Sequence, residues 1–286
     1  MSTPVFQIEN LKCQYPNALH PVLEINDLTI FQGELVFFLG VSGVGKSTLI
    51  ESLGLMNHTI VKSEGAKLDF YDSRGKNSLF DLWNLSPREL AEFRARQFSF
   101  IFQSSNLFEK LSLEANAIMP ALANEGDTAK TAAEAKQLAA ELLSNVSSED
   151  YIKKSAGAIS GGQKQRLAFI QAIISSHQVL FGDEPTGNLD WGNAKKVMTT
   201  LKHHIHANQK TGLVVSHDIE LSVAFADRIV LMTDRATASQ QGRMVGEILP
   251  QNVYTRDDNV WTNANGKLSD DDLISFLKQH FENHAS

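Results

Sequence analysis

The stretch GVSGVGKST, residues 40–48, holds residue types that could bind phosphate. Its glycines let consecutive backbone N–H groups approach an anion, and a helical pattern from Lys46 onward would add the partial positive charge of a helix N-terminus. Lys46 can reach terminal phosphates, and the Ser47 hydroxyl can ligate Mg²⁺. We therefore predict a cradle for nucleotide phosphates, in preference to a flexible loop that binds nothing. The predicted contacts are Gly40, Ser42, Gly43, Gly45, Lys46, Ser47 and Thr48.

A second stretch, VLFGDE at residues 179–184, is an apolar run that ends in two acids. A buried strand with this pattern would carry its carboxylates to the carboxyl edge of a sheet, where open α/β folds bind their ligands. Asp183 could hold Mg²⁺ and Glu184 could polarise an attacking water. Two acids at a strand end are often ordinary turn residues, but their position downstream of a phosphate loop favours the catalytic interpretation.

The third stretch is ISGGQKQR, residues 159–166. Ser160 can cap a helix with Gln163 three residues later, and Gly161 and Gly162 leave the N–H groups of that helix end bare. These four residues predict a second anion site. Because one nucleotide does not need two cradles, the second would serve a nucleotide held by another subunit, and we hypothesise a homodimer.

The order of apolar patterns predicts an α/β fold that positions these stretches. Alternation at Val5–Lys12 and Leu23–Phe31 predicts an antiparallel β-rich start, and the continuous run Leu35–Gly40 predicts a strand buried on both faces. Residues 107–145 are largely helical in pattern, so we expect a helical subdomain, about 104–160, inserted into the core. Strand and helix patterns alternate again afterwards: helices at 162–175 and 192–207, and strands at 178–184, 212–217 and 227–234, the last of them at a sheet edge.

The C-terminal part of the chain has a different character. Leu249–Trp261 is polar and is predicted to be irregular, whereas residues 269–283 are predicted to form an amphipathic helix that Ser269 and Asp272 begin as a capping box. The apolar side of that helix could dock on its own core or contact a partner. We divide the chain into a domain at residues 1–248 and a C-terminal extension at residues 249–286.

Composition limits the class of protein. The 286 residues are 42% hydrophobic, which is enough for a folded core, and their formal charge of −7 argues against nucleic acid as a partner. The single cysteine, Cys13, fits a reducing compartment, and we expect a cytoplasmic protein. No apolar run is long enough to span a bilayer and the N-terminus lacks the pattern of a signal peptide, so we expect any membrane role to come through a partner.

Together these stretches resemble the motifs of the ATP-binding cassette family of ATPases. GVSGVGKST resembles its Walker A loop, VLFGDE its Walker B strand and ISGGQ its signature, with Ile159 a departure at the first position. Gln103 in FIFQ resembles the glutamine of its Q-loop, and Tyr15 lies where the family has an aromatic residue that stacks on adenine. GNLD, which ends at Asp190, resembles the D-loop, and VVSHD, which contains His217, resembles the switch-histidine segment. The resemblance covers about residues 5–248.

The resemblance implies a P-loop NTPase core with an antiparallel β-subdomain and an inserted helical subdomain, which is the architecture of ABC ATPases. It also implies a head-to-tail dimer with two ATP molecules, in which Ser160, Gly161, Gly162 and Gln163 act across the interface. His217 would contact the γ-phosphate, and Asp190 would communicate between subunits. Gln103 would bind Mg²⁺ or the attacking water. The implied cofactors are ATP and Mg²⁺.

Within the family, GDEPTGNLD and the segment SLEANAIMPAL resemble the lipoprotein-release, macrolide-export and cell-division group. Gln171 departs from the arginine usual in that group, and the extension goes beyond its short members. The resemblance implies an ATPase subunit that is coupled to an integral membrane permease and is peripheral on the inner face of the membrane. The alternative is a soluble ABC ATPase without a permease, of the kind used in DNA repair or translation.

Overall fold

Two β-sheets organise the chain in this computed structural model, which describes residues 3–122, 132–134, 136–139, 153–236 and 244–284. In chain order the strands are β1 (Pro4–Cys13), β2 (Leu23–Phe31), β3 (Leu35–Leu39), β4 (Ile60–Val61), β5 (Lys67–Asp72), β6 (Gly75–Ser78), β7 (Phe98–Ile101), β8 (Val179–Asp183), β9 (Thr211–Val215), β10 (Arg228–Leu231), β11 (Thr233–Ala236), β12 (Met244–Ile248), β13 (Val253–Asp257), β14 (Val260–Asn263) and β15 (Gly266–Leu268). The described helices are α1 (Lys46–Leu53), α2 (Leu79–Leu82), α3 (Pro87–Gln97), α4 (Leu113–Leu122), α5 (Gly161–Ile174), α6 (Trp191–Ala207), α7 (Ile219–Phe225) and α8 (Asp270–His284).

The two sheets differ in how their strands pair. The first has the order β11-β12-β2-β1-β5-β6, with β4 added beside β1, and its pairs are antiparallel except for β12 with β2. The second has the order β15-β14-β13-β10-β3-β9-β8-β7 and is parallel from β10 to β7. The predicted α/β fold with an antiparallel β-rich start is therefore confirmed.

The sequence of β3 explains why it lies in the middle of the molecule. All five residues of LVFFL are buried, and successive side chains enter two different apolar clusters. Phe37 packs in the cluster on the side of α5 and α6, whereas Phe38 packs in the cluster between the two sheets. Because side chains alternate along a strand, a continuous apolar run can fill both layers at once.

The prediction of a largely helical segment at residues 107–145 is confirmed for part of the described residues, since residues 107–112 are not helical. Residues 113–122, 132–134 and 136–139 are helical, and residues 123–131, 135 and 140–145 of the predicted segment lie outside the described residues. Within the described ranges, none of the helices combines the length and apolar character that a membrane crossing requires.

Two predictions about residues 227–261 were wrong. Strands β13 and β14 occupy much of Leu249–Trp261, which was predicted to be irregular, because buried Tyr254 and Trp261 give an otherwise polar segment a core-facing side. The strand predicted at residues 227–234 is not at the edge of its sheet. It is β10, which pairs in parallel with β3 on one side and antiparallel with β13 on the other. The helix predicted at residues 269–283 is present as α8, which buries Leu273 and Leu277 in the core.

Candidate nucleotide site

The predicted phosphate loop, acids and histidine meet at one edge of the second sheet. β3, β9 and β8 are parallel neighbours, so their carboxyl ends lie side by side. Gly40 follows β3, Asp183 ends β8, and His217 lies two residues beyond β9. A cavity of about 450 Å³ opens there. It is lined by Gly40, Ser42, Gly43, Gly45, Lys46, Ser47, Thr48, Glu184 and His217.

Glycine is required at two positions of the phosphate loop. Gly45, the residue before α1, has φ +97°, in the left-handed region that side chains disfavour. At Gly40, a Cβ atom would lie 2.7 Å from the carbonyl oxygen of Met232 and 2.8 Å from Cγ1 of Val44. The loop therefore turns into α1 with its backbone close to β10, and other residue types would disturb this geometry.

Lys46 carries positive charge into the middle of the loop. Its Nζ atom donates to the carbonyl oxygens of Gly40, at 2.7 Å, and of Val41, at 3.0 Å. Burial lowers the pKa of Lys46, and the nearby charges of Glu184 and Asp183 act in the opposite direction. A buried ammonium whose desolvation is only partly offset fits an anionic group such as a nucleotide phosphate.

Ser47 and Asp183 bring together the oxygen ligands that Mg²⁺ prefers. The Ser47 hydroxyl donates to Oδ1 of Asp183 at 3.2 Å. Burial raises the pKa of Asp183, while the bond from Ser47 and the charge of Lys46 lower it. A desolvated carboxylate beside a hydroxyl, next to the phosphate loop, fits the oxygen ligands that Mg²⁺ would take there.

Glu184 and His217 are in direct contact at the wall of the cavity. Nδ1 of His217 lies 3.0 Å from Oε2 of Glu184. Glu184 has φ +46°, an uncommon conformation for a residue with a side chain, and its N–H donates to the carbonyl oxygen of Val215 at 3.0 Å. A carboxylate in direct contact with an imidazole, beside the phosphate loop, can accept a proton from a water molecule bound next to the pair.

The second predicted anion site forms as a helix cap but lies outside the cavity. Ser160 is the N-cap of α5: its hydroxyl accepts from the N–H of Gln163 at 3.3 Å, and its own N–H donates to Oε1 of Gln163 at 2.9 Å. Apart from its chain neighbours and the backbone of its own helix, no heavy atom of the described residues lies within 4 Å of a Cβ placed on Gly161, so the helix end is open to a ligand. None of Ser160, Gly161, Gly162 and Gln163 lines the cavity at the phosphate loop.

The other predicted residues also lie outside the lining. The Tyr15 hydroxyl is 3.1 Å from Oγ1 of Thr48, and the Tyr15 side chain is partly exposed beside the loop. Gln103 is exposed, and its carbonyl oxygen accepts from Asn188 at 3.3 Å. Asp190 is the N-cap of α6, and its bonds from the backbone and side chain of Asn193 lower the pKa of Asp190.

Gln165 connects these parts and was not predicted from the sequence. Gln165 is buried on α5, and its Nε2 atom donates to the carbonyl oxygens of Pro185, at 2.7 Å, and of Phe102, at 3.3 Å. It thus ties the signature helix to the segments that carry Gln103 and Glu184. A glutamine among the apolar residues of a helix was the available indication, but its partners are distant in sequence.

Comparison with known proteins decides the family. Residues 23–187 match the ABC transporter family, which is more than half of the chain. The chain belongs to the ABC transporter family. The macrolide export ATP-binding/permease protein MacB 2 of Aeromonas hydrophila is 34% identical over 249 residues, which are 85% of this chain and 35% of that protein. This chain therefore spans about a third of the length of the MacB relatives that it matches.

A shorter relative and a solved structure agree with this assignment. The lipoprotein-releasing system ATP-binding protein LolD of Syntrophotalea carbinolica is 35% identical over 213 residues, which are 74% of this chain and 87% of that protein. The dimeric, post-hydrolysis structure of the ATP-binding cassette MJ0796 with ADP and phosphate has a TM-score of 0.63 and 26% identity, and covers 79% of this chain and 93% of that one. The predicted ABC architecture and the predicted resemblance to the lipoprotein-release and macrolide-export cassettes are confirmed.

Proposed function

We propose that this chain is the ATP-hydrolysing subunit of an ABC transporter or envelope mechanotransmission complex, and that it works as a head-to-tail dimer coupled to a membrane permease. The observation that carries the proposal is the Glu184–His217 pair beside Lys46 in one cavity, with a second, exposed cradle at Ser160 outside it. A chain that only bound nucleotide would need neither the acid–histidine pair nor the second cradle.

The proposed roles follow from charge and position. The backbone N–H groups of the phosphate loop and Lys46 hold the phosphates of ATP, and the exposed ring of Tyr15 stacks on the adenine. Glu184 accepts a proton from the attacking water, and His217 orients that water toward the γ-phosphate. Positioning and charge stabilisation are what phosphoryl transfer chiefly demands of a protein.

The proposed Mg²⁺ ligands are Ser47, Asp183 and Gln103. The contact between Ser47 and Asp183 supports the first two, whereas Gln103 rests on the family resemblance because its exposed side chain does not line the cavity. When bound, Mg²⁺ neutralises charge that develops on the phosphate oxygens.

The dimer is proposed because the two cradles are separate within one chain. In a head-to-tail pair, Ser160, Gly161, Gly162 and Gln163 of one subunit complete the phosphate site of the other, and Asp190 lies at the same interface. The solved cassette MJ0796 is a dimer in its ADP and phosphate state, which supports this arrangement.

The permease is proposed from the relatives. The MacB proteins are named as ATP-binding/permease proteins, and this chain matches about a third of their length. We infer that a permease supplies the membrane part of the system and holds this chain at the inner face of the membrane. A soluble ABC ATPase without a permease is the alternative, and recovery of no membrane protein with the tagged chain from detergent extracts would favour it.

The ATPase proposal is tested with Glu184→Gln. This substitution removes the proton acceptor but keeps the side-chain size, so we expect hydrolysis to fall about 10²–10⁴-fold while ATP still binds and the ATP-bound dimer accumulates in size-exclusion chromatography. Glu64→Gln, in an exposed loop, is the matched control and should behave like the unchanged chain. Equal phosphate release by the unchanged chain and the Glu184→Gln variant, with the permease present, would contradict the proposal.

A further inference from the structure

A second cavity lies at the opposite edge of the parallel strands. Its volume is about 580 Å³, compared with about 450 Å³ at the phosphate loop. Gln97, Gln178 and Lys210 line it, and each immediately precedes one of the parallel strands β7, β8 and β9. The nucleotide site lies at the carboxyl ends of the parallel strands and this cavity at the amino ends, so the two are separated by the length of the strands.

The charges that line this cavity are mostly positive. Arg74, Arg96 and Lys210 line it, with Asp72 as the carboxylate among the lining residues. Oxygens of Asp72 already accept from the N–H of Arg74, at 2.8 Å, and from Nε2 of Gln97, at 3.2 Å. The three cations and one carboxylate leave an excess of two positive charges, in a chain whose formal charge is −7. A concave surface of this sign attracts anions.

Lys210 is the cation that most needs a partner. Its side chain is half-buried, and burial lowers the pKa of Lys210 with no carboxylate among the described residues to offset it. Arg96, by contrast, lies 4.0 Å from Glu92, at the limit of an ion pair. Taking an ammonium group out of water costs free energy, and a bound anion would offset that cost.

His177 lies in the same wall as a buried, neutral imidazole. The side chain is only 2% exposed, and Nδ1 lies 2.7 Å from the carbonyl oxygen of Ser175. Since a carbonyl can only accept, Nδ1 carries the proton and Nε2 presents a lone pair, yet Nε2 has no partner among the described residues. Burial lowers the pKa of His177 to about 3, which is consistent with the neutral ring.

We propose that this cavity binds a small phosphate monoester. A phosphate monoester is close to a dianion at neutral pH and its oxygens suit the guanidinium groups of arginine, so it matches both the excess charge and the donors. The volume is in the range of small-molecule sites and exceeds what a bare phosphate ion needs. A soluble metabolite and the headgroup of a phosphate lipid share this chemistry.

The experiment uses the full chain with saturating ADP, which keeps the phosphate loop filled. Glycerol 3-phosphate is titrated while the histidine C2–H resonances are followed by NMR, and the His177→Gln variant identifies the resonance of His177. We expect saturable binding that shifts this resonance. Because Arg74 is exposed, Arg74→Gln tests the site without disturbing the core, and Lys210→Gln tests the half-buried cation. We expect each substitution to weaken binding about tenfold or more.

Lys267→Gln is the matched control, since Lys267 is exposed on β15 at the far edge of the same sheet. It should bind glycerol 3-phosphate like the unchanged chain. Sedimentation with phosphatidylcholine vesicles that contain phosphatidic acid distinguishes the two sources of the phosphate. Binding to either form that requires both Lys210 and Arg74 supports the proposal. No saturable binding of either form, or equal binding by the Lys210→Gln, Arg74→Gln and Lys267→Gln variants, would overturn it, whatever the ATPase result.

Discussion

Glu184 shows how the main chain sets the geometry of the proposed proton acceptor. Its φ of +46° costs a residue with a side chain on the order of 1–3 kcal/mol. The conformation is held on both sides, because the N–H of Glu184 donates to Val215 and its carbonyl oxygen accepts from Gly187. The carboxylate that faces His217 is therefore positioned by the backbone as well as by its own side-chain torsions.

His177 and His204 couple stability to pH. Their rings lie 5.4 Å apart, and burial lowers the pKa of His177 to about 3 and that of His204 to about 4. As pH falls through about 6.5, the unfolded chain binds protons that the folded chain does not bind. The stabilising contribution of the neutral rings is therefore fully present above pH 6.5 and is lost progressively as the pH falls toward 4.

We expect the free energy of unfolding to fall by about 2 kcal/mol for each of these histidines between pH 7 and pH 5. Urea unfolding at the two pH values measures the loss, and His177→Gln should make it smaller by about that amount. Between pH 7 and pH 8, where both rings are neutral in both states, the variant and the unchanged chain should show parallel pH dependence. If the free energy of unfolding of His177→Gln fell between pH 7 and pH 5 by as much as that of the unchanged chain, the burial of a neutral His177 ring would be contradicted.

At the scale of elements, the caps of α3 and α5 have the same design. Ser86 begins α3 and Ser160 begins α5, and each forms a capping box with the residue three positions later. Only Ser160 is followed by two glycines that leave the helix end bare. The cap itself stabilises a helix in both cases, so any additional effect at Ser160 reports on the proposed ligand contact.

We expect Ser86→Ala and Ser160→Ala to lower the free energy of unfolding by similar amounts, about 0.5–2 kcal/mol each. Only Ser160→Ala should reduce ATP hydrolysis, because the lost hydroxyl would contact a phosphate held by the partner subunit. Urea unfolding and phosphate release, measured on both variants, check this. An equal loss of hydrolysis in the two variants would mean that Ser160 acts through helix stability alone.

Gln165 connects elements that the sequence does not obviously join. Its side chain lies between the signature helix α5 and the segments that follow β7 and β8. Removing a buried donor leaves its acceptor oxygens without a partner, at about 1–3 kcal/mol for each group. The hydrogen bonds of Gln165 therefore link the position of Ser160 to that of Glu184 within one subunit.

At the scale of the molecule, the parts that could be predicted from sequence are those whose chemistry is local. The phosphate loop can be predicted because its glycine, lysine and serine residues have to lie close together in the sequence. β3 can be predicted because five apolar residues in a row have to be buried on both faces of a sheet. β13 and β14 were missed because the burial of Tyr254 and Trp261 depends on distant elements, β10 and α8, that a local pattern does not contain. The partners of Gln165 were missed for the same reason.

The C-terminal extension, residues 249–286, continues the sheet that carries the nucleotide site. β13 pairs with β10, and β10 pairs with β3, which leads into the phosphate loop. Trp261 is fully buried, and its Nε1 atom donates to Asp270 at 2.7 Å, while Arg256 lies over its ring and also pairs with Asp270. The extension therefore shares one apolar core with α5 and α6.

This shared core makes a testable difference to how the chain unfolds. Trp261→Ala should lower the free energy of unfolding by about 3–5 kcal/mol. The urea midpoint of the circular dichroism signal should fall for the whole chain, because the cavity opens in a core that the extension shares with α5 and α6. Trp191→Ala is the matched control, since Trp191 is 50% exposed and its loss should cost far less. Circular dichroism follows the whole chain, and the fluorescence of the remaining tryptophans follows their surroundings. If Trp261→Ala produced an early transition limited to the extension while the main transition kept its midpoint, residues 249–286 would be a separate folding unit and the boundary predicted at residue 248 would divide two independent bodies.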